Sequence, residues 1–173
     1  MSATHFLVIG YGNTLRADDG VGPRVAEAVE ALHLSGVRTM TCQQLSPEHA
    51  DPISQADNVI FVDASIDEPQ EVLFRELDAS ETSQLMAHAA DPCTMLALSR
   101  DVFGHTPRAW WLTIPATNLE FSEALSPQTQ RGLTEAVQKT QDEAKQVSAL
   151  RKTLVDTIDS ANFLAEKRRT SVT

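Results

Sequence analysis

Two aspartates that follow short β-rich segments are the first candidates for chemistry in this sequence. Asp19 lies beyond a glycine-containing turn that follows the apolar segment Phe6–Ile9, and Asp63 follows directly on the segment Asn58–Val62. In an open parallel sheet, ligands bind beyond the carboxyl ends of the strands. If the two strands are neighbours, both carboxylates lie in the same crevice, and the sequence predicts one acidic functional site there.

Simpler roles for these residues remain open. Asp19 could cap a helix that starts near Pro23, and Asp63 could cap the element that follows it. The turn Gly10–Leu15 is similar to a dinucleotide-binding loop, but Leu15 stands where that motif needs its third glycine, and the sequence has no P-loop lysine. We therefore expect the glycines to let the backbone bend sharply after the strand.

Histidine and cysteine add few candidates from spacing alone. The sequence has no HExxH helix, no GxSxG elbow and no catalytic-cysteine signature. Cys42 and Cys93 are far apart and provide neither a disulfide framework nor a thiolate zinc site, and we expect Cys93 to be an inert structural residue. A single histidine is more often a surface or structural residue than a ligand; the five here are His5, His33, His49, His88 and His105.

Alternating β-rich and helical segments must position these residues. The predicted strands are Phe6–Ile9, Val37–Cys42, Asn58–Asp63, an edge strand at Glu71–Leu77, and Trp110–Ile114. The predicted helices are one with Pro23 in its first position that Gly36 ends, a short one from Pro47 to about Pro52, one at Pro92–Phe103, and one long helix or two in series from Leu133. This alternation predicts an α/β fold, a three-layer sandwich whose mostly parallel twisted sheet is flanked by helices on both faces.

Composition and charge exclude several classes of protein. The chain has 173 residues, which is one domain's worth, and its 14 basic and 24 acidic residues give a net charge of −10. This charge argues against binding to nucleic acid and to anionic membrane surfaces, since both require clustered Lys and Arg. No apolar stretch is long enough to span a bilayer, and no signal peptide is recognisable, so we expect a cytoplasmic protein.

The segment Leu7–Gly22 resembles the opening signature of the nickel–iron hydrogenase maturation endopeptidases, GxGNxLxxD[DE]xxG after a first strand. Further blocks resemble the family in the same order: Gln44–Glu48, Val59–Ala64, His88 with Pro92 and Leu96 behind it, and Leu125–Pro127. The resemblance covers roughly residues 5–150. The block Gln44–Glu48 is most similar to members that serve bidirectional, NAD-reducing hydrogenases.

The resemblance implies a metal-dependent aspartic-type endopeptidase. Members of the family remove a C-terminal extension from the hydrogenase large subunit once nickel has been inserted, so the implied partner is the large-subunit precursor and the implied metal is nickel carried by that substrate. The family's three metal-binding residues, also implied as catalytic, correspond by position to Asp19, Asp63 and His88. Some members have Glu at the first of these positions, and because Asp19 reaches less far, Asp18 is an alternative ligand.

The implied ligands are chemically consistent with this function. Carboxylate oxygens and an imidazole suit a borderline divalent cation such as nickel, and three protein ligands leave coordination positions open for substrate groups or water. The metal could polarise the scissile carbonyl, activate water or position the chain. The sequence offers no candidate protein nucleophile, which favours attack by water.

The resemblance also suggests how the chain is divided. We expect residues 1–150 to form the protease-like α/β domain and residues 151–173 to form a C-terminal helical extension or tail. Two other functions share parts of the pattern: a non-catalytic protein that binds a nucleotide or small acid at the glycine turn, and a nickel chaperone with the same three ligands.

Overall fold

The computed structural model describes residues 6–67, 70–77 and 91–170. His5 and His88 lie outside the described residues. The chain divides into two compact units, residues 1–140 and residues 141–173, and each is described by itself. The domain boundary expected near residue 150 stays a prediction.

The first unit is built on one mixed sheet. Its strand order is β2-β1-β3-β5-β4; β1, β2, β3 and β5 are parallel, and β4 runs antiparallel to β5 at the edge. The five strands are β1 Phe6–Tyr11, β2 Val37–Cys42, β3 Asn58–Ser65, β4 Leu73–Leu77 and β5 Arg108–Pro115. The mostly parallel sheet and the edge position of β4 confirm two expectations from the sequence. Because the order reverses around β1, the carboxyl ends of β1 and β3 form a topological switch point.

In the residues that the structure describes, four α-helices accompany the strands. They are α1 Val21–Glu30, α2 Ala50–Ser54, α3 Pro92–Phe103 and α4 Pro127–Thr170, and short 3₁₀ segments at Ala17–Gly20 and Pro47–His49 precede α1 and α2. None of the helices in the described part of the chain is long and apolar enough to cross a membrane.

Helices cover both faces of the sheet. Alternate residues of the strands face opposite sides, so Leu7, Ile9 and Phe61 pack with Met95 and Leu96 of α3 in one buried cluster. On the other face, α1 approaches β1 so closely that a Cβ on Gly10 would lie 2.0 Å from the carbonyl oxygen of Gly22. This arrangement confirms the predicted α/β fold class.

Three predicted helix boundaries are wrong, and the tolerance of proline within a first turn explains two of them, the start of α1 and the end of α2. Helix α1 starts at Val21, so Pro23 is its third residue, and it ends at Glu30 well before Gly36. Helix α2 continues to Ser54, past Pro52. The first helical N–H groups have no partner in their own helix, so a proline there costs no hydrogen bond.

The long C-terminal helix starts earlier than its apolar pattern indicates. Ser126 accepts a hydrogen bond from the Thr129 N–H at 3.3 Å, which is the contact of an N-cap, and α4 then begins with Pro127. The helix is continuous to Thr170, so of the two predicted alternatives one long helix is present. In the second unit its apolar side chains are largely exposed: Leu150, Leu154, Val155, Ile158 and Phe163.

The exposure of these side chains generates a first prediction. Removing residues 156–173 takes away exposed positions such as Ile158, which is 50% exposed, so the described part of this segment contributes little buried apolar area. We expect the shortened protein to keep its near-ultraviolet circular dichroism from Trp110 and Trp111 and to melt within about 3 °C of the full chain, less than the shift for roughly 1 kcal/mol. A melting temperature lowered by 10 °C would show that this segment belongs to the folded core.

Candidate functional site

Side chains from four neighbouring strands form one row at the carboxyl edge of the sheet. Cys42 of β2 pairs with Tyr11 of β1, and Asp63 of β3 pairs with Thr113 of β5. The pairing of Gly10 with Val62 places Tyr11 beside Asp63 in the same register. The row lies at the β1/β3 switch point, where open α/β sheets bind their ligands.

Asp63 is held in a largely buried environment by two donors. The Tyr11 hydroxyl donates a hydrogen bond to its carboxylate, and the Ala64 N–H donates to Oδ1 at 2.8 Å. Burial raises the pKa of Asp63 to about 6, the two hydrogen bonds oppose this rise, and the negative charge of Asp19 adds to it. This carboxyl group therefore stays protonated to a higher pH than an ordinary aspartate.

Asp19 reaches the same crevice from the loop that follows β1. Its Oδ2 accepts a hydrogen bond from the Asn13 N–H at 2.8 Å. The loop turns at Gly12, whose φ of +137° favours glycine and whose Cβ would lie 1.9 Å from the Asp19 carbonyl oxygen. Since the charge of Asp19 raises the pKa of Asp63, the structure brings these two sequence-predicted carboxylates close together.

The simpler capping roles do not account for these carboxylates. Helix α1 has Gly20 as its N-cap without a side-chain hydrogen bond, and Asp63 lies within a strand that continues to Ser65. The third expected ligand, His88, lies outside the described residues. Among the residues that the structure describes, no three His, Cys, Asp or Glu side chains group closely enough to hold a metal ion.

Asp18 points into the protein, away from the role of alternative ligand. Its Oδ2 accepts hydrogen bonds from the N–H groups of Thr117 at 2.9 Å and Asn118 at 2.8 Å, and its Oδ1 accepts from the Ser126 N–H at 2.7 Å. The Ser126 hydroxyl donates a further bond to Oδ2 at 2.9 Å. Both carboxylate oxygens of this fully buried side chain are thus occupied by the loop between β5 and α4.

These donors also set the charge state of Asp18. Burial of the carboxylate works to raise its pKa, but the backbone N–H groups of Ser126, Thr117 and Asn118 outweigh burial and hold the pKa below its usual value of 3.8. Asp18 is therefore an ionised buried residue at neutral pH, stabilised by hydrogen bonds alone.

The environments of Cys42, His49 and His105 indicate structural roles for these residues. Burial, with the charge of Glu48, raises the pKa of Cys42 to about 11, so its thiol is protonated and a poor nucleophile at neutral pH. Neither Cys42 nor Cys93 is in a disulfide. His49 Nδ1 accepts the Ser46 N–H at 2.9 Å, and His105 Nε2 lies 3.1 Å from the Ala56 carbonyl oxygen.

Sequence reasoning missed Tyr11 as a site residue. The signal that could have found it is the alternation of β1, which places position 11 on the same face and edge as Asp63. The Tyr11 hydroxyl is buried beside a carboxylate, and burial, the charge of Asp63 and the hydrogen bond to it raise its pKa well above 10.0. The charge of Asp91, at the start of α3, acts in the same direction.

Two surface grooves flank the loop that carries Asn13 and Leu15. One, of about 410 Å³, lies toward β2 and includes Gly12 and Cys42 among its lining residues. The other, of about 740 Å³, lies toward the β5–α4 loop and is lined there by residues 117–121. Asn13 and Leu15 line both grooves, so the two spaces meet at the loop that positions Asp19.

Solved structures with this fold include hydrogenase maturation endopeptidases. The hydrogenase maturating endopeptidase HybD from E. coli has a TM-score of 0.67 at 18% identity, covering 83% of this chain and 93% of that one. The [NiFe] hydrogenase maturation protease HycI from Thermococcus kodakarensis has a TM-score of 0.67 at 20% identity, covering 82% and 93%. The hydrogenase 2 maturation peptidase from a Thaumarchaeota archaeon has a TM-score of 0.59 at 21% identity, covering 80% and 97%.

The similarity to these proteins is one of structure rather than of amino-acid sequence. No family model matches the sequence, and no curated protein matches it either. At identities near 20% the likeness establishes the α/β fold, which agrees with the fold class predicted from the strand–helix alternation.

The hydrogen bonds of Asp18 generate a prediction about stability. In Asp18→Asn, an amide group replaces a carboxylate oxygen among four donors, so buried N–H groups lose their acceptor. We expect the free energy of unfolding at pH 7 to fall by about 2–4 kcal/mol, measured by urea denaturation. The matched control is Asp101→Asn, which removes an exposed carboxylate paired with Arg100 and is expected to leave the urea midpoint nearly unchanged.

The same substitution should alter the acid limb of the stability curve. A carboxyl group whose folded pKa is depressed stabilises the protein above its unfolded pKa, here 3.8, and this contribution is lost as pH falls through the lower folded pKa. Asp18→Asn should therefore flatten stability below about pH 4. An unchanged acid limb would contradict the assignment of Asp18 as an ionised buried residue.

Asp63 is expected to act in the opposite direction. Because its folded pKa is raised from 3.8 to about 6, the native state binds more protons than the unfolded state, and stability falls as pH rises through that window. Asp63→Asn should remove this fall and make the protein more stable at pH 7, by up to about 2–3 kcal/mol. Urea denaturation between pH 4 and pH 7 measures the difference, and a variant less stable than the wild type at pH 7 would contradict it.

Proposed function

We propose that this protein is an endopeptidase that removes the C-terminal extension of a nickel–iron hydrogenase large subunit after nickel insertion. The observation that supports it most directly is that Asp63 lies at the β1/β3 switch point, near enough to Asp19 for the charge of Asp19 to raise its pKa. The fold is shared with solved structures of hydrogenase maturation endopeptidases. The opening segment Leu7–Gly22, which resembles that family's signature, supplies both β1 and the loop that carries Asp19.

The substrate would bring its nickel to the crevice, where Asp19, Asp63 and His88 would bind it. Two carboxylates that repel each other electrostatically favour a cation between them, since its charge offsets the repulsion. Oxygen ligands with one imidazole suit nickel. His88 precedes Asp91 by three residues, which span at most about 11 Å, and the charge of Asp91 is felt at Tyr11 in the same row. Chain length thus permits His88 to join the site.

Hydrolysis would use water as the nucleophile. Among the described residues of the crevice, the thiol of Cys42 is protonated because its pKa is raised to about 11, and the Tyr11 hydroxyl is committed to Asp63. Asp19 and Asp63 would bind the substrate's nickel and would be the catalytic aspartates of an aspartic-type endopeptidase. Cleavage would depend on nickel because a precursor without it offers these ligands nothing to bind.

The partner would be the precursor of the large subunit, in the cytoplasm, and the hydrogenase would be of the bidirectional, NAD-reducing type. The support for this subclass is the block Gln44–Glu48. In the structure it leads into α2, and Ser46 and His49 form a reciprocal capping box there.

The proposed function generates a prediction about cleavage. Asp63→Asn keeps the shape of the side chain but replaces a carboxylate ligand with a neutral amide, which binds cations poorly. We expect the rate of cleavage of a nickel-loaded large-subunit precursor to fall at least about 100-fold. Cleavage is measured from the mobility shift of the precursor on denaturing gels. Because we expect this variant to be more stable than the wild type at pH 7, a loss of cleavage would not come from a loss of folding.

His33→Ala is the matched control because His33 is exposed and precedes the amino end of β2, whereas the row lies at the carboxyl ends of the strands. Its cleavage rate should equal that of the wild type, and His105→Ala should have little effect. Normal cleavage by Asp63→Asn would show that Asp63 is not a site residue. A wild-type protein that binds nickel-loaded precursor and never cleaves it would favour a nickel chaperone over a protease.

A further inference from the structure

The groove toward the β5–α4 loop has the composition of a site for an extended peptide. Its lining combines polar groups from Asn13, Thr117 and Asn118 with the apolar side chains of Leu15 and Phe121. An extended chain presents a donor and an acceptor at each residue together with side chains at regular intervals. A groove of about 740 Å³ with polar groups and one apolar wall matches both requirements.

Phe121 is the most unusual residue of this groove. Its side chain is 85% exposed, and Leu15, which also lines the groove, is 45% exposed. Exposed aromatic residues are common anchors of protein–protein contacts because they bury a large apolar area when a partner binds.

The loop that carries Phe121 is held in place on both sides of that residue. The Ala17 N–H donates to the Ser122 carbonyl oxygen at 2.6 Å, and the Ser122 N–H donates to the Leu15 carbonyl oxygen at 3.0 Å. Asp18 binds the same loop through Thr117, Asn118 and Ser126. Because the loop is already ordered, a partner that contacts Phe121 pays little conformational entropy to fix it.

The groove adjoins the loop that carries Asp19 of the proposed catalytic crevice. Asn13, whose N–H binds Asp19 Oδ2, lines the groove, and so does Leu15, whose carbonyl oxygen holds Ser122. A chain that lies along the groove therefore passes the loop that positions Asp19.

A phosphate-bearing ligand fits this groove less well than a peptide. Glu120 contributes a negative charge to the lining, and Arg16 uses its Nε to donate to the Leu119 carbonyl oxygen at 3.4 Å. The whole chain also carries a net charge of −10, which disfavours anions further.

We propose that this groove, with Phe121 and Leu15 as its apolar wall, binds an extended segment of the protein substrate next to the bond that is cut. The inference rests on the proposed function and adds to it a place and a chemistry for substrate recognition: a peptide with an apolar side chain that packs against Phe121. Phe121 is then a binding residue that acts on affinity and leaves the chemical step to the carboxylates.

The test is steady-state cleavage of a nickel-loaded hydrogenase large-subunit precursor by Phe121→Ala. We expect KM to rise at least about tenfold while kcat stays within about twofold of the wild type, as for the loss of uniform binding. Phe121→Tyr, which keeps the ring, should restore most of the affinity. Phe103→Ala is the matched control, since Phe103 is also an exposed phenylalanine, 47% exposed at the end of α3, and it should leave KM unchanged.

A second measurement separates this inference from the proposed function. Binding of the metal-free precursor, which is not cut, is followed by biolayer interferometry, and Phe121→Ala should weaken it by a similar factor. An unchanged KM, or a loss confined to kcat, would overturn the groove assignment while leaving the protease intact. If the wild type cleaves no precursor but binds it through Phe121, the proposed function fails and the groove stands; if it neither cleaves nor binds, both fail.

Discussion

The buried carboxylate of Asp18 is the constraint on which the site depends. A charge with no exposed surface is costly unless hydrogen bonds satisfy it, and here the donors come from Thr117, Asn118 and Ser126, about 100 residues further along the chain. The carboxylate therefore ties the loop after β1 to the loop before α4. Because Ser126 is also the N-cap of α4, one side chain fixes the start of that helix and the wall of the groove.

Adjacent positions in this loop serve opposite purposes. Asp18 turns inward and is used up by its donors, whereas Asp19 faces the crevice and keeps only the Asn13 N–H within the described contacts of its carboxylate. The close approach of α1 to β1 at Gly10 and Gly22 holds the same loop from the other side. The direction of Asp19 is thus set by backbone contacts and by its buried neighbour, which leaves its own carboxylate available for a ligand.

The sequence could predict what depends on local pattern. Apolar runs predict the parallel strands, and they place Asp19 and Asp63 at one edge on the condition that β1 and β3 are neighbours, which the strand order of the sheet confirms. Helix ends were harder, since Pro23 and Pro52 are tolerated in first turns that the rule for proline treats as boundaries. The contacts of Asp18 were beyond reach because their partners follow from tertiary structure alone, and the Tyr11–Asp63 hydrogen bond needed the register of β1 against β3.

Placing Asp63 beside Asp19 in the crevice has an electrostatic cost, because the environment disfavours the ionised form of Asp63. Burial and the charge of Asp19 both oppose ionisation of Asp63, and the Tyr11 hydroxyl and the Ala64 N–H offset only part of that cost, since the pKa remains at about 6. The protein alone therefore gains nothing in stability from placing two carboxylates here. A ligand that brings a positive charge offsets the repulsion between the two carboxylates. The relief of that repulsion then contributes to the free energy of binding. Under the proposed function, such a site would discriminate by charge, because a substrate that arrived without its cation would meet two carboxylates that it could not neutralise.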